Sequence, residues 1–153
     1  MTAKPPLELS LELLTRDHKR KKFESGLDSV DDWLSNKALS SMTKHLSTTR
    51  VLVSASKQLA GYYTVANTSL DVSLVPEKLF PGGIRPTRPL PTMTLAWLGV
   101  DTHFKGKGLG TWLMARALAD CVQVHELARF VAVMIDAQTD ENLAFYRSKG
   151  FEP

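Results

Sequence analysis

From Leu98 to Trp112 the chain reads LGVDTHFKGKGLGTW. An apolar run enters a turn with glycines at Gly106, Gly108 and Gly110, and a helix-forming run follows at once. This order demands a buried strand, a tight turn and a helix packed back on the sheet, the unit of an α/β domain. Glycine permits φ > 0 and lets a ligand come close to the backbone. The first turn of a helix holds unpaired N–H groups with partial positive charge. Together they form a cradle for phosphate, and Lys105 and Lys107 add positive charge beside it. The spacing is neither the Gly-x4-Gly-Lys-Ser/Thr of a Walker A loop nor the G-x-G-x-x-G of a dinucleotide fold.

The rest of the chain supplies the layers. Leu7 to Leu14 alternates in the manner of a strand, with Leu7, Leu9, Leu11 and Leu13 on one side. Asp28 or Ser29 suits the cap of a helix carrying Val30, Trp33, Leu34, Ala38 and Leu39. Arg50–Ser56 and Gly61–Thr68 read as two strands around a turn near Lys57 and Gln58. Pro76 to Pro91 is a proline-rich loop with a Gly82–Gly83 pair and room for one helical turn. Thr92–Val100 reads as a central strand and Thr111–Leu127 as a helix burying Leu113, Met114, Ala117, Leu118, Cys121 and Val122. Phe130–Ile135 reads as a strand and Glu141–Lys149 as a short helix stopped by Gly150. The expected architecture is one α/β domain spanning residues 1–153, with a mixed central sheet flanked by helices.

Composition narrows the class. With 43% hydrophobic and 23% charged residues, the 153-residue chain has what a globular core needs. A formal charge of +3 permits a polyanionic partner without demanding one. Cys121 is the single cysteine, so no intrachain disulfide forms and a reducing cytoplasm fits. No apolar stretch reaches the roughly 20 residues of a membrane span, and no signal-peptide core follows the N-terminus. His18, His45, His103 and His125 are scattered and make no metal-ligand pattern.

Two separated motifs carry a family resemblance. Lys105-x-x-Gly108-x-Gly110 resembles the acetyl-CoA pyrophosphate loop, Q/R-x-x-G-x-G/A, of the GCN5-related N-acetyltransferases. Lysine takes the first position, which keeps a cation but not the planar fork of arginine. Asn142 to Phe151, NLAFYRSKGF, resembles the family's late Asn…Phe-Tyr…Gly-Phe motif. Phe23-Glu-Ser-Gly26, Val30-Asp-x-Trp33-Leu34 and Gly61-Tyr-Tyr63 are similar to a bacterial toxin branch that acetylates aminoacyl-tRNA. That branch's Leu-x-Arg-Leu-Ala-Val-Asp strand corresponds to Leu95–Asp101, with Trp97 for the arginine and Gly99 for the alanine. Family members continue past Gly-Phe into another strand, whereas this chain stops at Pro153, so by this resemblance the last strand is missing from the chain, through truncation or because another chain supplies it.

The resemblance implies acetyl-CoA as co-substrate and no metal. It places Leu98, Gly99, Val100, Lys105, Gly106, Lys107, Gly108, Leu109, Gly110, Thr111 and Asn142 at the acetyl-CoA site. It makes Tyr146 the general acid; an ordinary phenol, with pKa near 10, is protonated at neutral pH. A backbone N–H near Gly99 or Val100 would steady the oxyanion. Asp101, His103, Asp136 and Glu141 are base candidates by residue type alone, and none is assigned. The implied partners are aminoacyl-tRNA, a small ribbon-helix-helix antitoxin and a second copy in a homodimer, in a bacterial cytoplasm. Arg16 to Lys22, with Lys37, Lys44 and Arg50, would face the tRNA backbone, and Arg85 and Arg88 its acceptor end. Two alternatives stay open: an acetyltransferase of a small amine or protein amine, and an inactive antitoxin-binding relative.

Overall fold

The computed structural model describes residues 4–80, 82 and 87–152. Five strands make one sheet in the order β1 (Ser10–Leu13), β2 (Thr48–Val53), β3 (Leu59–Leu70), β4 (Leu90–Val100) and β5 (Val133–Ile135). The first four are antiparallel neighbours, and β5 joins β4 in parallel. Parallel neighbours need a crossover, supplied by α3 (Leu109–Leu127). The element order matches the sequence expectation of a mixed sheet flanked by helices.

The sheet divides two apolar layers. Under α3, Leu113, Ala117 and Cys121 meet Leu52, Tyr63 and Leu95. On the opposite face, α1 (Asp28–Asp32) runs through a π-helical turn at Trp33–Lys37 into α2 (Ala38–Thr43). There Val30, Leu34 and Ala38 pack on Val51, Val53 and Tyr62. Each fully buried aliphatic side chain stabilises the fold by about 1.5–3 kcal/mol. Buried polar groups within this layer are paired: Thr49 and Thr64 share a hydroxyl hydrogen bond of 2.6 Å, and the Trp33 indole donates to Thr64 at 3.0 Å.

Several local expectations are corrected. The first strand is short because Leu7 and Glu8 adopt positive φ, 60° and 55°, which breaks the extended run. Leu9 and Leu11 pack on the α3 layer, while Leu7 and Leu13 are 52% and 49% exposed. Neither Asp28 nor Ser29 caps α1; Leu27 holds the cap position, and the Asp31 carboxylate reaches back to the Ser25 N–H at 2.8 Å. Val122 is 60% exposed, because it has turned past the stripe of α3 that meets the sheet. The proline-rich loop carries the expected helical turn as a 3-10 turn at Glu77–Leu79, and a second 3-10 turn, Val72–Leu74, precedes the loop. The expectations for Gly83, Arg85 and Pro153 lie outside the described residues, and Arg88 is exposed.

Candidate active site

The site begins at an irregularity in β4. Thr64 of β3 faces Trp97, yet the next residue, Val65, faces Leu95, so Ala96 is an extra residue in the ladder. This is a β-bulge, which reverses the alternation of the strand beyond it. Before the bulge, β4 serves β5: Met93 N–H donates to Ala132 O at 3.1 Å and Leu95 O accepts from Asp136 N–H at 3.3 Å. Beyond it, Asp101 N–H donates to Ala60 O at 2.9 Å. Asp101, Gly99 and Trp97 therefore turn their amides toward β3, and Leu98 and Val100 turn theirs away. The pairing with β5 ends at Leu95 and Ile135. The Leu98 and Val100 amides thus face an edge of β4 from which β5 has parted.

A cleft of about 490 Å³ lies along that edge. It gathers Leu98, Gly99, Val100, Lys105, Gly106, Gly108, Leu109, Gly110, Thr111 and Asn142 from the sequence expectation. Lys107 is exposed in the turn and does not line it. Ser25, Gly26, Leu27 and Val30 form the facing wall, signalled in the sequence by the Phe-Glu-Ser-Gly26 and Val30-Asp-x-Trp33-Leu34 motifs. Helix α4 (Asp140–Ser148) closes the cleft with Glu141, Asn142 and Phe145, its first turn capped by the Thr139 hydroxyl accepting from Asn142 N–H at 3.1 Å.

The turn into α3 is built by Asp101. Its carboxylate accepts from His103 N–H at 2.9 Å, from His103 Nδ1 at 2.8 Å and from Glu24 N–H at 3.0 Å. Burial works against its charge, but these donors outweigh burial and hold the carboxyl below its usual range. Gly106 and Gly108 both have φ of 78°, and nothing lies within 4 Å of a Cβ placed on either. Gly108 is the cap residue of α3 and supplies no side-chain acceptor to its first amides. The Lys105 ammonium donates to Ser25 O at 2.6 Å, tying the turn to the facing wall rather than standing free over the cradle.

Tyr146 sits on α4 with 6% exposure, edge-on to Phe145 and Phe151 at ring separations of 5.4 and 6.3 Å. Burial first, and then the charge of Asp136, push its phenol up to about 12. Its hydroxyl has no hydrogen-bond partner among the described residues. Tyr62 feels the charge of Tyr146, and the Tyr62 ring lies 3.2 Å from a Cβ placed on Gly99. Tyr146 does not itself line the cleft; it packs against Phe145, which does. The four base candidates do not converge. Asp101 is committed to the turn, Asp136 is exposed after β5, His103 points at Asp101 beside a different hollow, and Glu141 alone lines the cleft.

The two departures in β4 have structural counterparts. Gly99 leaves room for Val30, whose Cγ1 would lie 2.6 Å from an added Cβ. Trp97 stacks on Trp33 with centroids 5.3 Å apart and planes 12° from parallel. Among the described residues no group of three or more His, Cys, Asp or Glu is placed to hold a metal. No helix among them is long and apolar enough to cross a membrane.

A sheet that parts beside a glycine turn and a helix N-terminus makes an α/β site suited to a phosphate-bearing ligand. Residues 50–153 match the acetyltransferase (GNAT) domain family. The chain is 33% identical to a tRNA-acetylating toxin of Mycobacterium tuberculosis over 133 residues, 85% of this chain and 76% of that protein. The chain belongs to the GNAT acetyltransferase family. Its fold also matches AtaT complexed with acetyl-methionyl-tRNAfMet, with a TM-score of 0.82 at 23% identity over 95% of this chain and 88% of that one. A tyrosine-to-phenylalanine AtaT toxin, bound to the C-terminus of the antitoxin AtaR and acetyl-CoA, matches with a TM-score of 0.76 at 21% identity, covering 95% and 85% of the two chains. At those identities the likeness is one of fold.

Proposed function

We propose that this acetyltransferase moves the acetyl group of acetyl-CoA onto the amino group of an aminoacyl-tRNA and so stops translation. The observation that carries it is the open edge of β4, where the Leu98 and Val100 amides face a cleft that ends at the N-terminus of α3. The cleft fits acetyl-CoA. Gly106, Gly108, Leu109, Gly110 and Thr111, which line it, would hold the pyrophosphate in the open space that a Cβ at Gly106 or Gly108 would enter. Asn142 and Phe145 would border the pantetheine arm.

Acetyl-CoA supplies an activated thioester carbonyl; the protein supplies position and protons. The Leu98 or Val100 N–H donates to the carbonyl oxygen as negative charge gathers on it, an effect worth about 3 kcal/mol where such donors are removed from other enzymes. Tyr146 gives its proton to the departing thiolate. A phenol held near 12 stays protonated throughout the physiological range, so the acid is always armed. No side chain is placed as base.

The acceptor reading is supported by the tRNA-acetylating relative at 33% identity. AtaT, a fold neighbour, binds the antitoxin AtaR, which supports an antitoxin as partner here, and this reading takes it to be of the small ribbon-helix-helix kind. A homodimer and a bacterial cytoplasm belong to the same reading, with residues 1–153 acting as one acetyltransferase domain. A second reading, transfer to a small or protein amine, is favoured by the Trp97–Trp33 stack in place of the branch's arginine. Cell-free translation separates them. Arrest that needs acetyl-CoA supports tRNA acetylation; undisturbed translation with active acetyl transfer to small amines supports the second.

A further inference from the structure

We propose that a basic hollow beside the active cleft is the seat for the phosphates of the tRNA acceptor end. This rests on the aminoacyl-tRNA reading above. The hollow measures about 340 Å³ and is distinct from the cleft, though Phe104 lines both.

Two separate parts of the chain bring cations to it, and a third closes it. Lys19 and Lys22 come from the segment before α1 and Lys57 from the β2–β3 turn, while the loop after β4 adds the His103 ring, already bonded to Asp101. The segment before α1 is tied to the loop after β4: Glu24 N–H donates to the Asp101 carboxylate at 3.0 Å, and Thr102 N–H donates to Glu24 O at 2.8 Å. None of the three lysines has a carboxylate partner among the described residues. The carboxylate in the hollow, Asp101, is occupied by Glu24 and His103.

Such a convergence of unpaired cations leaves a positive potential, which a polyanion relieves with release of its counterions. The floor is apolar: Phe23 and Leu59 are 3% and 4% exposed. An apolar floor under a cationic rim suits a phosphodiester with its ribose better than a bare anion. The position suits it too. An aminoacyl end entering the cleft at Gly99 passes Phe104, and the nucleotides behind it lie over the lysines.

The test uses the full chain with Lys22→Glu and Lys57→Glu combined, both on exposed side chains. KM for charged tRNA and for acetyl-CoA is measured at several salt concentrations. The expected result is a rise of at least about tenfold in KM for tRNA at low salt, and a salt slope shallower by roughly 1–2. KM for acetyl-CoA stays within about twofold, and Lys22→Arg with Lys57→Arg behaves as the parent. Unchanged tRNA kinetics and slope overturn the proposal. A raised KM for acetyl-CoA overturns it as well, by giving the hollow to the cofactor's nucleotide. If the parent chain acetylates no charged tRNA, the acceptor reading fails on its own. Binding of uncharged tRNA, followed by fluorescence anisotropy, then decides the hollow: equal affinity of parent and variant sinks it.

Discussion

A Cβ on Gly99 would lie 2.6 Å from Cγ1 of Val30, closer than side-chain atoms approach one another. The strand that borders the cleft and the helix that forms the facing wall are thus fitted to each other at this one point. Gly99→Ala is expected to destabilise the protein by about 1–3 kcal/mol, the usual range for overpacking. Val30→Ala removes the offending methyl groups, so the double variant should recover part of that loss, with a coupling of at least about 0.5 kcal/mol in a denaturation cycle. Strict additivity of the two substitutions would contradict the contact.

Alkaline titration gives a second check. The chain has three tyrosines, and the folded protein raises all of them. For Tyr62 the cause is burial, then the charge of Asp31; for Tyr63 it is burial, then the hydrogen bond to Asp120. A raised folded pKa means stability that is whole below the unfolded value, about 10, and lost as pH rises through the folded values. Phenolate absorbance should therefore stay flat through pH 10 and rise only above pH 11, together with unfolding. A third of the signal titrating near 10 would show one tyrosine to be free.

The sequence carried the parts of this site that are local. Lys105 to Thr111 and Asn142 to Phe151 were legible because a glycine turn, a helix start and a helix stop are each specified within a few residues. What was hidden depends on pairing between distant segments. The bulge at Ala96 exists only in register with Thr64 and Val65, and it decides that Leu98 and Val100, not Gly99, turn their amides to the cleft. Lys105 read as a cation beside the phosphates; its tie to Ser25 O, 80 residues away in sequence, could not be read there. Val122 read as core because helical periodicity marks a face without fixing how wide a stripe the sheet covers.

Gly108→Ala separates cradle from scaffold. The residue has φ of 78° and open space around a Cβ, so the fold loses only the left-handed strain, about 1–2 kcal/mol. The added methyl stands where the phosphates would lie. KM for acetyl-CoA should rise by about tenfold or more while the far-ultraviolet spectrum is unchanged. Unaltered KM would remove the turn from the binding site.

Tyr146→Phe keeps the ring that packs on Phe145 and Phe151 and deletes the hydroxyl, which supports no hydrogen bond in the fold. Stability and acetyl-CoA affinity should hardly change, while kcat falls by about 10²–10⁴-fold. Full activity with the true acceptor would take the acid role from this residue.

The most direct measurement is transfer from labelled acetyl-CoA to a mixture of charged tRNAs, with the product identified by mass spectrometry. The expected product is tRNA bearing an N-acetylated amino acid, formed by the parent chain and nearly absent with Tyr146→Phe. Acetyl-CoA that binds in the cleft but passes its acetyl group only to small amines or protein amines would contradict the assignment of the acceptor.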